Sequence, residues 1–129
     1  MQMTTDSIEK TKIETVLQDY FNGYLNAEVD LVEKAFHPET RLYAVEDEKL
    51  GKTEMAEWAE NLRARKIKGD VRFANQKVEF IDIADSTAVA KVVLTFAKYQ
   101  FTDYLSLLKF EGGWIIVGKI YEMKSLVLD

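Results

Sequence analysis

The chain has 129 residues, enough for one domain around one core, and its 47% apolar and 12% aromatic content argues against disorder. Its formal net charge is −5, with lysines and arginines scattered among acidic residues, so it lacks the basic stripe that nucleic acid or an anionic membrane would require. There is no cysteine, which excludes disulfides, thiolate catalysis and cysteine-held metals and fits a cytoplasmic location.

The polar start, MQMTTDSIEKTK, has no apolar signal core, and no uncharged apolar run approaches the length of a membrane span. Ile13, Val16, Leu17, Tyr20, Phe21 and Tyr24 recur at steps of three and four, predicting an amphipathic helix from Asp6 or Ser7 that weakens at Asn22 and Gly23. Asp30 and Glu33 suggest the capping of a short second helix, with Leu31, Val32, Ala35 and Phe36 buried and Pro38 at its end. TRLYAVED reads as a strand and EDEK as a turn. Thr53 is placed to cap a third helix striped by Met55, Trp58, Ala59 and Leu62 and stopped by Gly69.

Beyond Gly69 the period becomes alternating. VRFANQKVEFIDI reads as a strand with a bend, followed by TAVAKVVLTFAKY, QFTDYLSLLKF and WIIVGKIYEMKSLVL, with turns at ADS and EGG. Helices followed by a run of strands predict a single α+β domain over residues 1–129: three N-terminal helices packed on the concave face of a curved antiparallel sheet. Such a layer encloses a cone whose wide end suits a small molecule.

Four segments carry a resemblance: IETVLQDYFNGYLNAEVDLVEKAFHPETRLYAV, EMAEWAENL, VEFIDIADSTAVAKV and FTDYLSLLKFEGGWIIVGKIYEMK. Together they cover most of the chain and resemble the putative lumazine-binding family of the nuclear transport factor two-like superfamily, which also holds ketosteroid isomerases and polyketide cyclases. The resemblance implies a cone-shaped fold, a pocket between sheet and helices, and a homodimer formed through the sheet. It implies no cofactor and no metal, and it leaves function to be argued from the site.

Asp103 is the candidate catalytic group. It shares a strand face with Phe101, Leu105, Leu107 and Lys109, and a Glu111-Gly112 turn would set it opposite Ile120, on the face of Trp114 and Ile116. Buried there, a carboxyl can act as general acid or base, as ketosteroid isomerase-like sites use a carboxylic acid and a tyrosine. An ion pair or a solvated strand end is the competing reading. Tyr20 and Tyr24 on the first helix are candidates to hold a hydroxyl in the pocket as hydrogen-bond donor, Tyr20 ahead of Tyr24, and Tyr43, Trp58 and Phe73 are candidates for an aromatic ligand lining; the two helix tyrosines and Trp58 also read as core packing. His37, the only histidine, stands at the end of the second helix, where it is either a pocket-mouth acid or base or a surface cap. Lys109 and Lys119 read as solvated or ion-paired. The face opposite Asp103, read as Thr102, Tyr104, Ser106, Leu108, Ile115, Val117, Lys119 and Tyr121, is mixed in character and suits a symmetric dimer contact. The expected function is binding of an apolar or aromatic small molecule. The alternatives are an isomerase, cyclase or dehydratase using Asp103, and an assembly domain without catalysis.

Overall fold

In the computed structural model of the protein, residues 5–68, 75–96 and 98–126 are described. Helix α1, Thr5–Leu25, buries Ile13, Leu17, Tyr20 and Phe21 along one stripe. It continues through Gly23, where a Cβ would lie 2.6 Å from Val32 Cγ2 and 2.8 Å from Val32 N. Glycine is there because α2, Val29–Ala35, crosses at that point. The start of α2 differs from expectation: Glu28 occupies the cap position, with no side-chain cap bond, and Asp30 lies inside the first turn. Phe36 leaves the helix in extended geometry, two residues ahead of Pro38.

Strand β1, Arg41–Glu46, turns back at once into β2, Lys49–Glu54. The turn residues Asp47 and Glu48 both have left-handed backbone, φ 51° and 65°, which matches the twist of a tight hairpin. Thr53 therefore pairs with Leu42 instead of capping a helix, and α3, Met55–Lys68, begins where β2 ends. The sequence conceals β2 because Leu50 is its one large apolar side chain, so no alternation shows.

Strands β3 (Asn75–Ala84), β4 (Thr87–Phe96), β5 (Tyr99–Phe110) and β6 (Gly113–Ser125) form an antiparallel meander. The sheet order is β2-β1-β6-β5-β4-β3, and β1 joins β6 in parallel, the one parallel pair among the described strands. The bend expected in β3 is an irregularity between Val78 and Phe80. The β5–β6 turn is Glu111-Gly112, as expected, with φ 52° and 84°. The sheet curves around the helices, and the core fills the concave side: Ala90, Val92 and Leu94 from β4, Leu105 and Leu107 from β5, and Trp114 and Ile116 from β6, against Ile13, Leu17, Tyr20 and Phe36.

One register detail decides the interior. Leu107 pairs with Ile116 but Ser106 pairs with Gly118, leaving Val117 as an extra, bulged residue on β6. Beyond the bulge every side chain of β6 changes face. Lys119 and Tyr121 consequently turn to the concave side, opposite Leu105 and Asp103, and Ile120 turns outward, 56% exposed. This corrects the sequence reading, which put Lys119 and Tyr121 on the outer face and Ile120 opposite Asp103.

Candidate functional site

The concave side contains a polar cluster made by three elements. Asp103 of β5 is 0% exposed, Tyr20 of α1 is 1% exposed and Lys119 of β6 is 5% exposed. The Tyr20 hydroxyl donates to Asp103 Oδ2, and Lys119 Nζ donates to the Tyr20 oxygen at 2.9 Å. Nζ lies 3.6 Å from Asp103 Oδ2, an ion pair without a direct hydrogen bond. Asp103 Oδ1 is buried with no hydrogen-bond partner among the described residues.

Aromatic rings complete the surroundings. Lys119 Nζ stands 4.4 Å from the ring centre of Trp58, 5.0 Å from Tyr121, 5.1 Å from Tyr20 and 5.7 Å from Tyr24. Ring faces carry negative charge density, so this cage replaces part of the hydration the ammonium has lost. Burial still pushes the Lys119 pKa down, against the pull of Asp103. Burial and the neighbouring Asp103 hold the Tyr20 hydroxyl well above its usual range, so it stays protonated and available as a donor. Tyr24 is pushed up to about 12 by burial, with the Arg65 guanidinium opposing. Arg65 lies 4.6 Å from the Tyr24 ring centre and 4.5 Å from that of Phe96.

Beside the cluster the sheet opens. β1 and β6 pair only at Leu42–Lys119 and Tyr43–Ile120, then part. The gap is a cleft of about 580 Å³ on one side, lined by Phe101, Tyr121, Met123, Ala44 and the acidic Glu46, Asp47 and Glu122. On the other side lies a cleft of about 570 Å³ that shares Ala44, Val45, Tyr121 and Glu122 and is otherwise lined by outer-face residues including Tyr104 and Ile120. Tyr121 belongs to both structures: it lines the cleft and forms one wall of the Lys119 cage.

Residues 8–122 match the protein family described as "Putative lumazine-binding". The chain belongs to this family. Among solved structures, it is similar to an NTF2-like protein of unknown function from Shewanella baltica OS155, at 26% identity and TM-score 0.83, covering 95% of this chain and 98% of that one. It is also similar to an NTF2-like protein of unknown function from Methylobacillus flagellatus KT, at 23% identity and TM-score 0.78, with 96% and 97% covered. A ketosteroid isomerase-like protein from Erwinia carotovora atroseptica SCRI1043 aligns at 12% identity and TM-score 0.70, with 91% and 97% covered. These likenesses establish the NTF2-like fold. No curated protein is significantly similar to the chain in sequence.

In this member of the putative lumazine-binding family, the residues singled out from sequence fall into three groups. Asp103, Tyr20, Tyr24 and Trp58 converge, with the Tyr20 ring 6.0 Å from both Tyr24 and Trp58. Tyr43 does not join them: it pairs beside the outward Ile120 and lines the outer side of the cleft, because Leu42, its neighbour, takes the inward position. His37 is also apart. Its backbone N–H donates to Ile116 O at 2.8 Å, and its Nδ1 accepts from Glu39 N at 3.0 Å, an end-of-helix role. Phe73 lies outside the described residues.

Sequence reasoning missed two residues. Lys119 reads as outward by simple alternation, although Gly118 inside a strand pattern is a signal for the bulge that turns it inward. Glu9 is a polar residue on the buried stripe of α1, four residues before Ile13, and that position is the signal that marks it. It accepts from Trp114 Nε1 at 2.6 Å and from Lys109 Nζ at 2.7 Å. Those two bonds, Lys109 first, hold its pKa down at about 2.

Proposed function

We propose that the protein binds a flat, apolar or aromatic small molecule in the cleft between β1 and β6, a cleft lined by strand and hairpin residues. The observation carrying this reading is the position of Tyr121, which lines the cleft on one side and touches the buried Asp103–Tyr20–Lys119 cluster on the other. Phe101 adds a second ring, 6.4 Å from that of Tyr121, so the cleft offers stacking surface next to fixed polar groups. The family description makes lumazine, a flat heterocycle, the first ligand to try. Titration of the protein with lumazine, followed by calorimetry, tests the reading. Saturable binding that weakens about tenfold, roughly 1.4 kcal/mol, in Tyr121→Ala is the expected result, within what one stacked aromatic contributes. Binding unchanged in Tyr121→Ala and in Phe101→Ala would remove the cleft as the site.

A catalytic role has one specific observation in its favour. Asp103 and Tyr20 form the hydrogen-bonded carboxyl–phenol pair that acid–base chemistry uses. Their complete burial favours binding as the primary reading. The outer sheet face supports a homodimer, since Tyr104, Ile120, Val45, Leu50, Phe80 and Val89 are exposed there.

A further inference from the structure

We propose that Lys119 is a carbonyl-reactive amine, whose Nζ condenses with an aldehyde or ketone held in the β1–β6 cleft to form an imine. The proposal rests on the cleft being a ligand site and names the chemical class that site would take.

The geometry sets Lys119 apart from a lysine buried only to neutralise a carboxylate. Such a pair is expected to bond directly and to satisfy both carboxylate oxygens. Here Nζ is 3.6 Å from Asp103 Oδ2 and Oδ1 has no partner among the described residues, while the Tyr20 hydroxyl bridges the two charged groups. That bridge is a proton path. Lys119 passes a proton to the Tyr20 oxygen as Tyr20 passes its own to Asp103, leaving a neutral amine, an intact tyrosine and a carboxylic acid. The exchange removes two charges from an interior that solvates them poorly, and burial already favours the neutral amine.

The remaining steps balance on the same three residues. The Nζ lone pair attacks the carbonyl carbon and a C–N bond forms. The carbonyl oxygen takes a proton from Nζ, giving a carbinolamine. The C–O bond then breaks as the Asp103 proton, carried through Tyr20, leaves with the hydroxyl as water. The products are a protonated imine on Lys119 and a carboxylate on Asp103. The cation ends where the ammonium began, among the faces of Trp58, Tyr121, Tyr20 and Tyr24. Tyr121, half-buried and shared by cleft and cage, is the side chain that the proposed entry moves aside.

Cinnamaldehyde with cyanoborohydride, followed by peptide mapping of the native protein, tests the proposal. Cinnamyl alcohol, which lacks the carbonyl, is titrated in parallel by tryptophan fluorescence. The expected result is a reduced cinnamyl group on Lys119, formed roughly tenfold faster than on the exposed Lys49 and Lys124, because the cleft holds the aldehyde beside Nζ. Lys119→Met should lose that adduct and keep the slow surface labelling; if it does not fold, the wild-type map decides alone. Cinnamyl alcohol binding with adducts confined to exposed lysines would overturn the proposal and leave the cleft reading standing. Absence of both binding and adduct would overturn the cleft reading for this ligand class, and this proposal with it.

Discussion

Removing one charge from the buried cluster should cost far more than removing both. Asp103→Leu leaves a buried ammonium and Lys119→Met a buried carboxylate, and each is expected to destabilise by about 3–5 kcal/mol. The double variant should recover much of that loss, because an apolar pair needs no solvation. Urea unfolding of the two single variants and the double variant checks this; a double variant at the sum of the singles would mean the groups do not act as a pair. Glu9 makes a separate statement about pH. Its folded pKa of about 2 lies below the ordinary glutamate value of 4.5, so its two hydrogen bonds stabilise the fold fully above about 4.5. That contribution fades as pH falls toward about 2. Thermal melts between these limits should fall more steeply for the wild type than for Glu9→Gln, which has no carboxylate to protonate.

At the scale of elements, α2 crosses α1 at Gly23 with no room for a Cβ. Gly23→Ala puts a methyl 2.8 Å from the backbone nitrogen of Val32, which no rotamer change relieves. A loss of about 1–3 kcal/mol in denaturant unfolding is expected, and Val32→Ala in the same chain should restore only part of it. The strands show what sequence can and cannot reveal. β4 and β5 alternate cleanly between a buried and an outward face, so Asp103 could be placed inward from its neighbours Leu105 and Leu107. β6 could not be read the same way, since alternation carries no record of where a residue is skipped. Val117 is apolar on a strand already apolar on both faces around it, so the bulge leaves the pattern of hydrophobicity intact while exchanging Lys119 and Ile120 between faces. Tyr20 and Asp103 were each visible as candidates, but their meeting depends on where α1 lies across the sheet, which no local pattern encodes.

For the whole molecule, the outer face presents Tyr104 and Ile120 side by side on β5 and β6, 45% and 56% exposed, with Leu50 and Val45 of the β1–β2 hairpin nearby. An apolar surface of this kind is expected to be covered by a second copy. Light scattering should return the mass of a dimer, and Ile120→Lys should return the 14.9 kDa of a single chain without a loss of helical signal. A wild-type monomer at micromolar concentration would remove the dimer.

The seam between β1 and β6 has a mechanical consequence. The hairpin β1–β2 is joined to the rest of the sheet by two residue pairs, and one of them is Leu42–Lys119. The backbone that fastens this flap is the backbone that carries the caged amine. Loosening the flap therefore removes one backbone partner of Lys119 and widens the cleft, and a molecule lodged there would act as a wedge on that seam. Amide exchange along β2, a strand that contributes nothing to the cage itself, is expected to slow when a molecule occupies the cleft.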